Sequence, residues 1–178
     1  MCIRDSGSTT TLTLTNTGRL FVNGTLAGSQ GAGAKQVVAL NGGTFVVKTV
    51  NATQLSGAAA PTAQGTLYNP GGTVAPGDAG TAGQINITGN YTQTNGGVLA
   101  IDLNGTTQAT AFQNPGSYYD DLVVSGTATM GGSLAVTLGA NFIPLYSETY
   151  YVVGASNIAG AFTNVAFGSR VTTTVGVN

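Results

Sequence analysis

The chain has 178 residues, of which 42% are hydrophobic, so it is long enough and apolar enough to bury a core. Only 6% of the residues are charged and the net charge is −1, which excludes a basic surface for binding nucleic acid. Histidine is absent, which excludes catalysis by histidine and metal sites made of histidine. No apolar stretch reaches the ~20 residues of a membrane-spanning helix.

The first six residues differ in style from everything that follows. They contain the one cysteine of the chain, whereas a composition rich in Gly, Thr and Asn begins at Gly7. Residues 1–6 resemble a translated adapter peptide, and we expect them to be foreign to the domain. We therefore predict one domain over residues 7–178, truncated at both ends. Because this domain has no cysteine, packing and hydrogen bonds must hold it together without disulfides.

The domain alternates apolar and polar residues with a period of two, which predicts β-strands. Its 28 Gly, 28 Thr and 14 Asn fit a fold made of strands and turns. Taken in chain order, the predicted strands lie at residues 11–15, 20–26, 37–40, 41–50, 73–76, 85–91, 98–103, 122–130, 133–138, 150–153 and 162–167, before an alternating end at 170–178. Loops are predicted at residues 28–35, 58–65 and 104–119.

Glycine pairs precede four of the predicted strands. They are Gly42-Gly43, Gly71-Gly72, Gly96-Gly97 and Gly131-Gly132, and they start 29, 25 and 35 residues apart. Such spacing is typical of a stacked array, in which each unit buries its apolar face against its neighbours. We expect the third and fourth pairs to mark the register of successive coils most dependably. The first pair, Gly42-Gly43, resembles the others in style only. The equivalent buried positions predicted on neighbouring coils are Leu99, Ile101, Leu134 and Val136.

These patterns predict an all-β fold in which the chain coils as a parallel β-helix. Inward-facing apolar residues would form ladders along the coil, with Thr and Asn ladders outside. A β-sandwich stays open as the alternative, because regularly spaced short strands suit that fold as well.

Four motifs follow one another over residues 71–167. Residues 72–78 (GTVAPGD) and 89–93 (GNYTQ) are similar to the G-T-[LV]-A-P-G-[ND] and G-N-Y-x-Q motifs of autotransporter passenger β-helices. Residues 121–128 (DLVVSGTA) resemble the D-x-[LI]-x-V-x-G-x-A segment of that family. Residues 150–153 (YYVV), with Ile158, Gly160 and Phe162, resemble its closing strand pair.

The resemblance implies a right-handed, single-stranded parallel β-helix at a bacterial cell surface, exported through an outer-membrane β-barrel. We predict a structural or adhesive passenger segment without catalysis of its own, located outside the cell. Surface glycans, or the surface of a host or neighbouring cell, are the expected partners. Because no barrel is present here, the parent protein could carry another anchor. The alternatives are a fragment of a polysaccharide-acting lyase or glycosidase whose site lies elsewhere, and an intracellular binding sandwich.

With Asp5 set aside, five carboxylates could support chemistry: Asp78, Asp102, Asp120, Asp121 and Glu148. Neighbouring strand residues point to opposite faces, so Asp120 and Asp121 make a poor acid/base pair. Calcium at these two residues is the lesser alternative, and Asp78 is expected to bond backbone amides of its turn.

Two tyrosine pairs, Tyr118-Tyr119 and Tyr150-Tyr151, would each place one ring outward if they lie in strands. Such a ring could stack on a sugar, but packing is the favoured interpretation. We therefore predict no catalytic, cofactor-binding or metal-binding residue, and no cofactor.

Overall fold

The computed structural model describes residues 2–3, 9–28, 35–52, 65–114 and 116–165. Every regular element of this part is a β-strand, which confirms the predicted all-β class. The strands are β1 (Cys2–Ile3), β2 (Thr9–Leu14), β3 (Arg19–Gly28), β4 (Lys35–Leu40), β5 (Thr44–Asn51), β6 (Thr66–Asn69), β7 (Thr73–Val74), β8 (Gln84–Thr88), β9 (Asn90–Gln93), β10 (Val98–Leu103), β11 (Thr107–Gln108), β12 (Tyr118–Tyr119), β13 (Asp121–Met130), β14 (Ser133–Leu138) and β15 (Val153–Gly160). Within these ranges no helix is long and apolar enough to cross a membrane.

The strands pair almost entirely in parallel. Thirteen strands form one sheet, while β2 and β4 form a second sheet of two strands. Among the described residues the one antiparallel pairing joins Leu103 of β10 to Tyr119 of β12. Parallel neighbours cannot be connected by a tight hairpin, so the chain travels a long way before it returns beside an earlier strand.

One column of parallel strands runs β3, β5, β7, β10 and β14, and we call it the first column. Its paired residues form a continuous inward ladder of Leu20, Phe45, Val74, Leu99 and Leu134. Leu99 pairs with Leu134 and Ile101 pairs with Val136, so the predicted register is confirmed. Leu99, Ile101 and Leu134 are buried. Val136 packs on the core but is only half-buried, because β14 pairs with β10 alone among the described strands.

A glycine carbonyl accepts a hydrogen bond from the first residue of four first-column strands, β5, β7, β10 and β14. The amides of Thr44, Thr73, Val98 and Ser133 donate to the carbonyls of Gly18, Gly43, Gly72 and Gly97, at 2.8, 2.8, 2.9 and 3.0 Å. The Gly42-Gly43 pair therefore belongs to the same column as the others, and its description as a match in style only was wrong. At Gly132, where φ is +58°, an added Cβ would lie 2.1 Å from the Gly97 carbonyl oxygen, so only glycine fits.

Two further columns complete the core. In the second column, β3, β5, β8, β13 and β15 align the residues Leu26, Val50, Ile87, Val124 and Ala155. In the third column, β6, β9, β13 and β15 align the residues Leu67, Tyr91, Ala128 and Ile158. The aligned residues of all three columns pack into one cluster, except Ile158, which is 52% exposed at the end of the third column. The cluster also takes in Leu14, Val38 and Leu40 of β2 and β4.

The segment between β10 and β13, residues 104–120, leaves the first column and then folds back onto it. We call it the excursion. A loop was predicted over residues 104–119, but the excursion includes β11 and β12 and buries Ala109, Phe112 and Tyr119. Phe112 packs with Val46 and Ala75, which lie on the outer face of the first column. The prediction failed because the apolar residues of the excursion are isolated and show no periodicity.

The end of the described chain differs from the prediction. The strand expected at residues 150–153 begins only at Val153 and continues to Gly160. Residues 161–165 form a turn where a strand over 162–167 was predicted. The reason is that side chains replace the ladder there: Asn164 Oδ1 accepts from the Leu134 amide at 3.0 Å, and Asn164 Nδ2 donates to the Leu134 carbonyl at 2.8 Å.

Several predictions fall outside the described residues. These are most of the expected foreign peptide, the larger parts of the loops at 28–35 and 58–65, Phe167, and the alternating end at 170–178. Of the first six residues, Cys2–Ile3 pair in parallel with Ala27 and Gly28.

The inward ladder makes a direct prediction about stability. Leu99→Ala should lower the free energy of unfolding by about 2–5 kcal/mol, because it leaves a cavity in a fully packed column. Val98→Ala is the matched control, since Val98 is half-buried and precedes Leu99 on the opposite face. Urea denaturation of both variants checks this, and equal losses would contradict the assigned faces.

Candidate functional site

Three of the carboxylates considered above gather where the excursion returns to β13. Asp120 lies between β12 and β13, Asp121 is the first residue of β13, and Asp102 lies in β10. All three are buried, with 8% exposure or less. We call these three residues the acidic corner.

Asp120 connects two separate segments through their backbones. Its Oδ1 accepts from the Gly83 amide and its Oδ2 accepts from the Asp102 amide, both at 2.7 Å. Burial raises the pKa of Asp120 to about 8, although the two amide bonds act to lower it and the charges of Asp102 and Asp121 raise it further. The side chain therefore holds the excursion to the column.

Asp121 points to different partners, as the strand alternation predicts. Its Oδ2 accepts from Gln84 Nε2 at 2.9 Å, and the same nitrogen donates to the Ala109 carbonyl at 3.3 Å. Its Oδ1 is buried without a hydrogen bond. The nearby Gln108 amide acts to lower the pKa of Asp121. Burial outweighs the Gln84 and Gln108 contacts, so the pKa of Asp121 is raised.

Asp102 borders an open cleft of about 560 Å³. Its Oδ2 accepts from the Gly80 amide at 2.6 Å, and burial raises the pKa of this carboxyl. The cleft lies between the loop at Gly80, the end of the excursion and the segment that follows β14. It is lined by Gly80, Asp102, Asn104, Gly116, Ser117, Thr137, Leu138, Gly139, Ala140, Asn141 and Phe142.

The sequence pointed neither to this cleft nor to the burial of Asp102. Asp102 occupies an outward position between Ile101 and Leu103, where a polar residue is expected to be solvated. The excursion and the Gly80 loop cover it instead. The one sequence feature that points to this contact is the turn motif at residues 77–80, because it places the Gly80 amide beside Asp102 of β10.

Asp78 does not have the role predicted for it. Its carboxylate pairs with the Arg19 guanidinium and not with an amide of its own turn. Arg19 also lies over the Phe21 ring, 4.8 Å from the ring centre, and Phe21 packs against Phe112 at 5.3 Å. Asp78 has a φ of +86°, in the left-handed region that non-glycine residues seldom adopt. The pair fastens the turn to β3.

The tyrosine pairs serve mainly as packing. Tyr119 is buried and meets the half-buried Tyr150 edge to face at 5.2 Å, while Phe142 meets Tyr150 at 6.3 Å. Tyr150 OH donates to Glu148 Oε2 at 2.5 Å, and burial raises the pKa of Tyr150. Tyr151 is 72% exposed, so that pair does place one ring outward although it lies outside any strand.

The geometry favours a structural role for the acidic corner. Asp120 and Asp102 accept backbone amides at 2.6–2.7 Å and Asp121 accepts from Gln84, so each of these carboxylates joins separate segments of the fold. In the described ranges, no three acidic or cysteine side chains are arranged to hold a metal ion.

Comparison with known proteins adds no further constraint, since no known protein family, curated protein or solved structure matches this chain.

The acidic corner makes stability depend on pH. Because folding raises the pKa of Asp120 from 3.8 to about 8, the folded state retains a proton that the unfolded state releases. The free energy of unfolding should therefore fall as pH rises from about 4 to about 8, by up to about 1.4 kcal/mol per pH unit for one proton.

Urea midpoints measured from pH 4 to pH 9 check this, and Asp120→Asn should flatten the slope. Burial raises the pKa of Asp102 and Asp121 in the same direction, so part of the slope should remain in the variant. Stability that increases over this range, or an unchanged slope in Asp120→Asn, would contradict the assignment.

Proposed function

We propose that the chain is a segment of a right-handed parallel β-helix that serves as a structural or adhesive passenger of a bacterial secreted or cell-surface protein, similar to an autotransporter. The observation that carries the proposal is the residue-on-residue parallel register of the first column. Leu20, Phe45, Val74, Leu99 and Leu134 follow one another in a single ladder, one from each successive pass of the chain.

Parallel pairing in three columns favours a coil over the β-sandwich alternative. Sandwiches are built from antiparallel sheets joined by hairpins and Greek-key connections. Here the passes that begin at β5, β7, β10 and β14 each contribute one strand to the first column and continue through the second and third columns. Repetition of this pass lengthens the body without enlarging its cross-section, which suits a spacer that carries a surface away from a membrane.

The composition supports the same function. Because only 6% of the residues of the chain are charged, its surface is polar mainly through Thr, Asn, Ser and Gln, whose side chains can form ladders along a parallel stack. A chain without disulfides in its main part can pass unfolded through a pore and then fold by lateral stacking. Folding in this way needs only contacts between successive coils.

Surface display tests the proposal. Residues 7–178 would be fused between a secretion signal and an outer-membrane β-barrel in a laboratory bacterium, beside a strain that displays the barrel alone. We expect the displayed chain to resist trypsin and to increase adherence of the cells to glycan-coated surfaces several-fold. Leu99→Asp should remove the resistance, while the matched control Ala135→Asp should keep it, because Ala135 is exposed.

Two outcomes would contradict the proposal. One is a displayed wild-type chain that trypsin degrades as fast as the Leu99→Asp variant. The other is release of oligosaccharides from a polysaccharide by the purified chain, abolished by Asp102→Asn, which would favour the polysaccharide-acting enzyme instead.

A further inference from the structure

The cleft beside Asp102 has walls that hydrogen bonds hold in place. Asn104 Nδ2 donates to the Gly80 carbonyl at 3.3 Å, and the Gly80 amide donates to Asp102 Oδ2 at 2.6 Å. On the opposite side, the Gly139 amide donates to the Leu103 carbonyl at 2.8 Å and the Phe142 amide donates to the Gly139 carbonyl at 2.9 Å. The cleft is therefore formed before any ligand arrives.

Glycines keep the cleft open. Gly80 and Gly116 have φ values of +79° and +94°, and a Cβ added to either would meet no atom within 4 Å. Their conformation requires glycine, and the missing side chains leave free space above the backbone. The volume of about 560 Å³ lies within the roughly 300–1,000 Å³ range of small-ligand sites.

The lining selects the chemistry of the ligand. It contains no Lys or Arg, so an anionic ligand would find no counter-charge, and its single carboxylate is too few for a divalent cation. The hydroxyl and amide groups of Ser117, Thr137 and Asn141 are exposed, and Phe142 is half-buried beside them. Neutral donors and acceptors next to an aromatic ring suit a ligand that carries many hydroxyl groups on a partly apolar ring.

We propose that this cleft is a binding site for a neutral saccharide, with Ser117, Thr137 and Asn141 bonding sugar hydroxyls and Phe142 contacting a sugar face. This inference rests on the proposed adhesive function and assigns it a location and a ligand class. An open cleft with few contacts binds one saccharide weakly, so dense display of many chains would supply the avidity that adhesion needs.

Saturation-transfer NMR and calorimetry on the purified chain test the site. The probes are cellobiose, maltose, lactose, chitobiose and mannobiose, with glucuronic acid as the charged comparison. We expect saturable binding of at least one neutral disaccharide, with a Kd on the order of 1 mM.

Two variants locate the binding. Ala140→Trp fills the cleft from an exposed lining position, and Thr137→Ala combined with Asn141→Ala removes its hydroxyl and amide; both should weaken binding at least tenfold. The matched control is Ala161→Trp, because Ala161 is exposed and does not line the cleft. Equal thermal midpoints would show that each variant folds.

Binding of none of the five disaccharides, binding unchanged in Ala140→Trp, or preference for glucuronic acid would each overturn the proposal. The outcome is separable from the proposed function. A chain that is displayed and resists trypsin, but binds no saccharide, refutes the cleft alone, whereas a chain that binds through the cleft but cannot be displayed refutes the passenger function.

Discussion

The structure depends on one backbone interaction that repeats at the start of the first-column strands β5, β7, β10 and β14: the amide of the residue after a glycine donates to a glycine carbonyl of the preceding pass. This bond sets the register of each first-column strand at its first residue, and a strand that starts in register places every inward residue on an inward residue. Gly43 and Gly132 have positive φ, and each lies too close to a neighbouring carbonyl to accept a side chain. The hydrophobic ladder from Leu20 to Leu134 follows from this geometry.

Regular pairing in the columns leaves little room for a site, because neighbouring strands align similar apolar residues. The irregular features arise where the excursion separates β10 of the first column from β13 of the second and third columns. Phe112 anchors the excursion on Val46 and Ala75, while Asp120 ties its end to Gly83 and Asp102. A Cβ on Gly83 would lie 2.0 Å from the Phe112 carbonyl oxygen, so this contact needs glycine. The acidic corner and the cleft are both consequences of how the excursion returns.

Much of the fold could be predicted from the sequence, since alternation identifies strands and the glycine pairs identify their starts. The pairings of Leu99 with Leu134 and of Ile101 with Val136 followed directly from aligning the third and fourth pairs. The cleft could not be predicted, because it depends on where two loops without periodicity come to rest. The burial of Asp102 and the contact of Asp78 with Arg19 likewise depend on residues distant in sequence, for which alternation has no signal.

The central claim is that successive passes stack residue on residue, and cysteine cross-linking tests it most directly. Thr92 of β9 pairs with Thr129 of β13, and both are half-buried on the outer face. In a Cys2→Ser background, Thr92→Cys with Thr129→Cys should form a disulfide under mild oxidation, because paired strands lie about 4.8 Å apart, within the Cα range of a disulfide. The offset pair, Thr92→Cys with Thr127→Cys, should remain reduced, as mass spectrometry of unreduced peptides would show. Cross-linking of the offset pair in preference to the aligned pair would contradict the account.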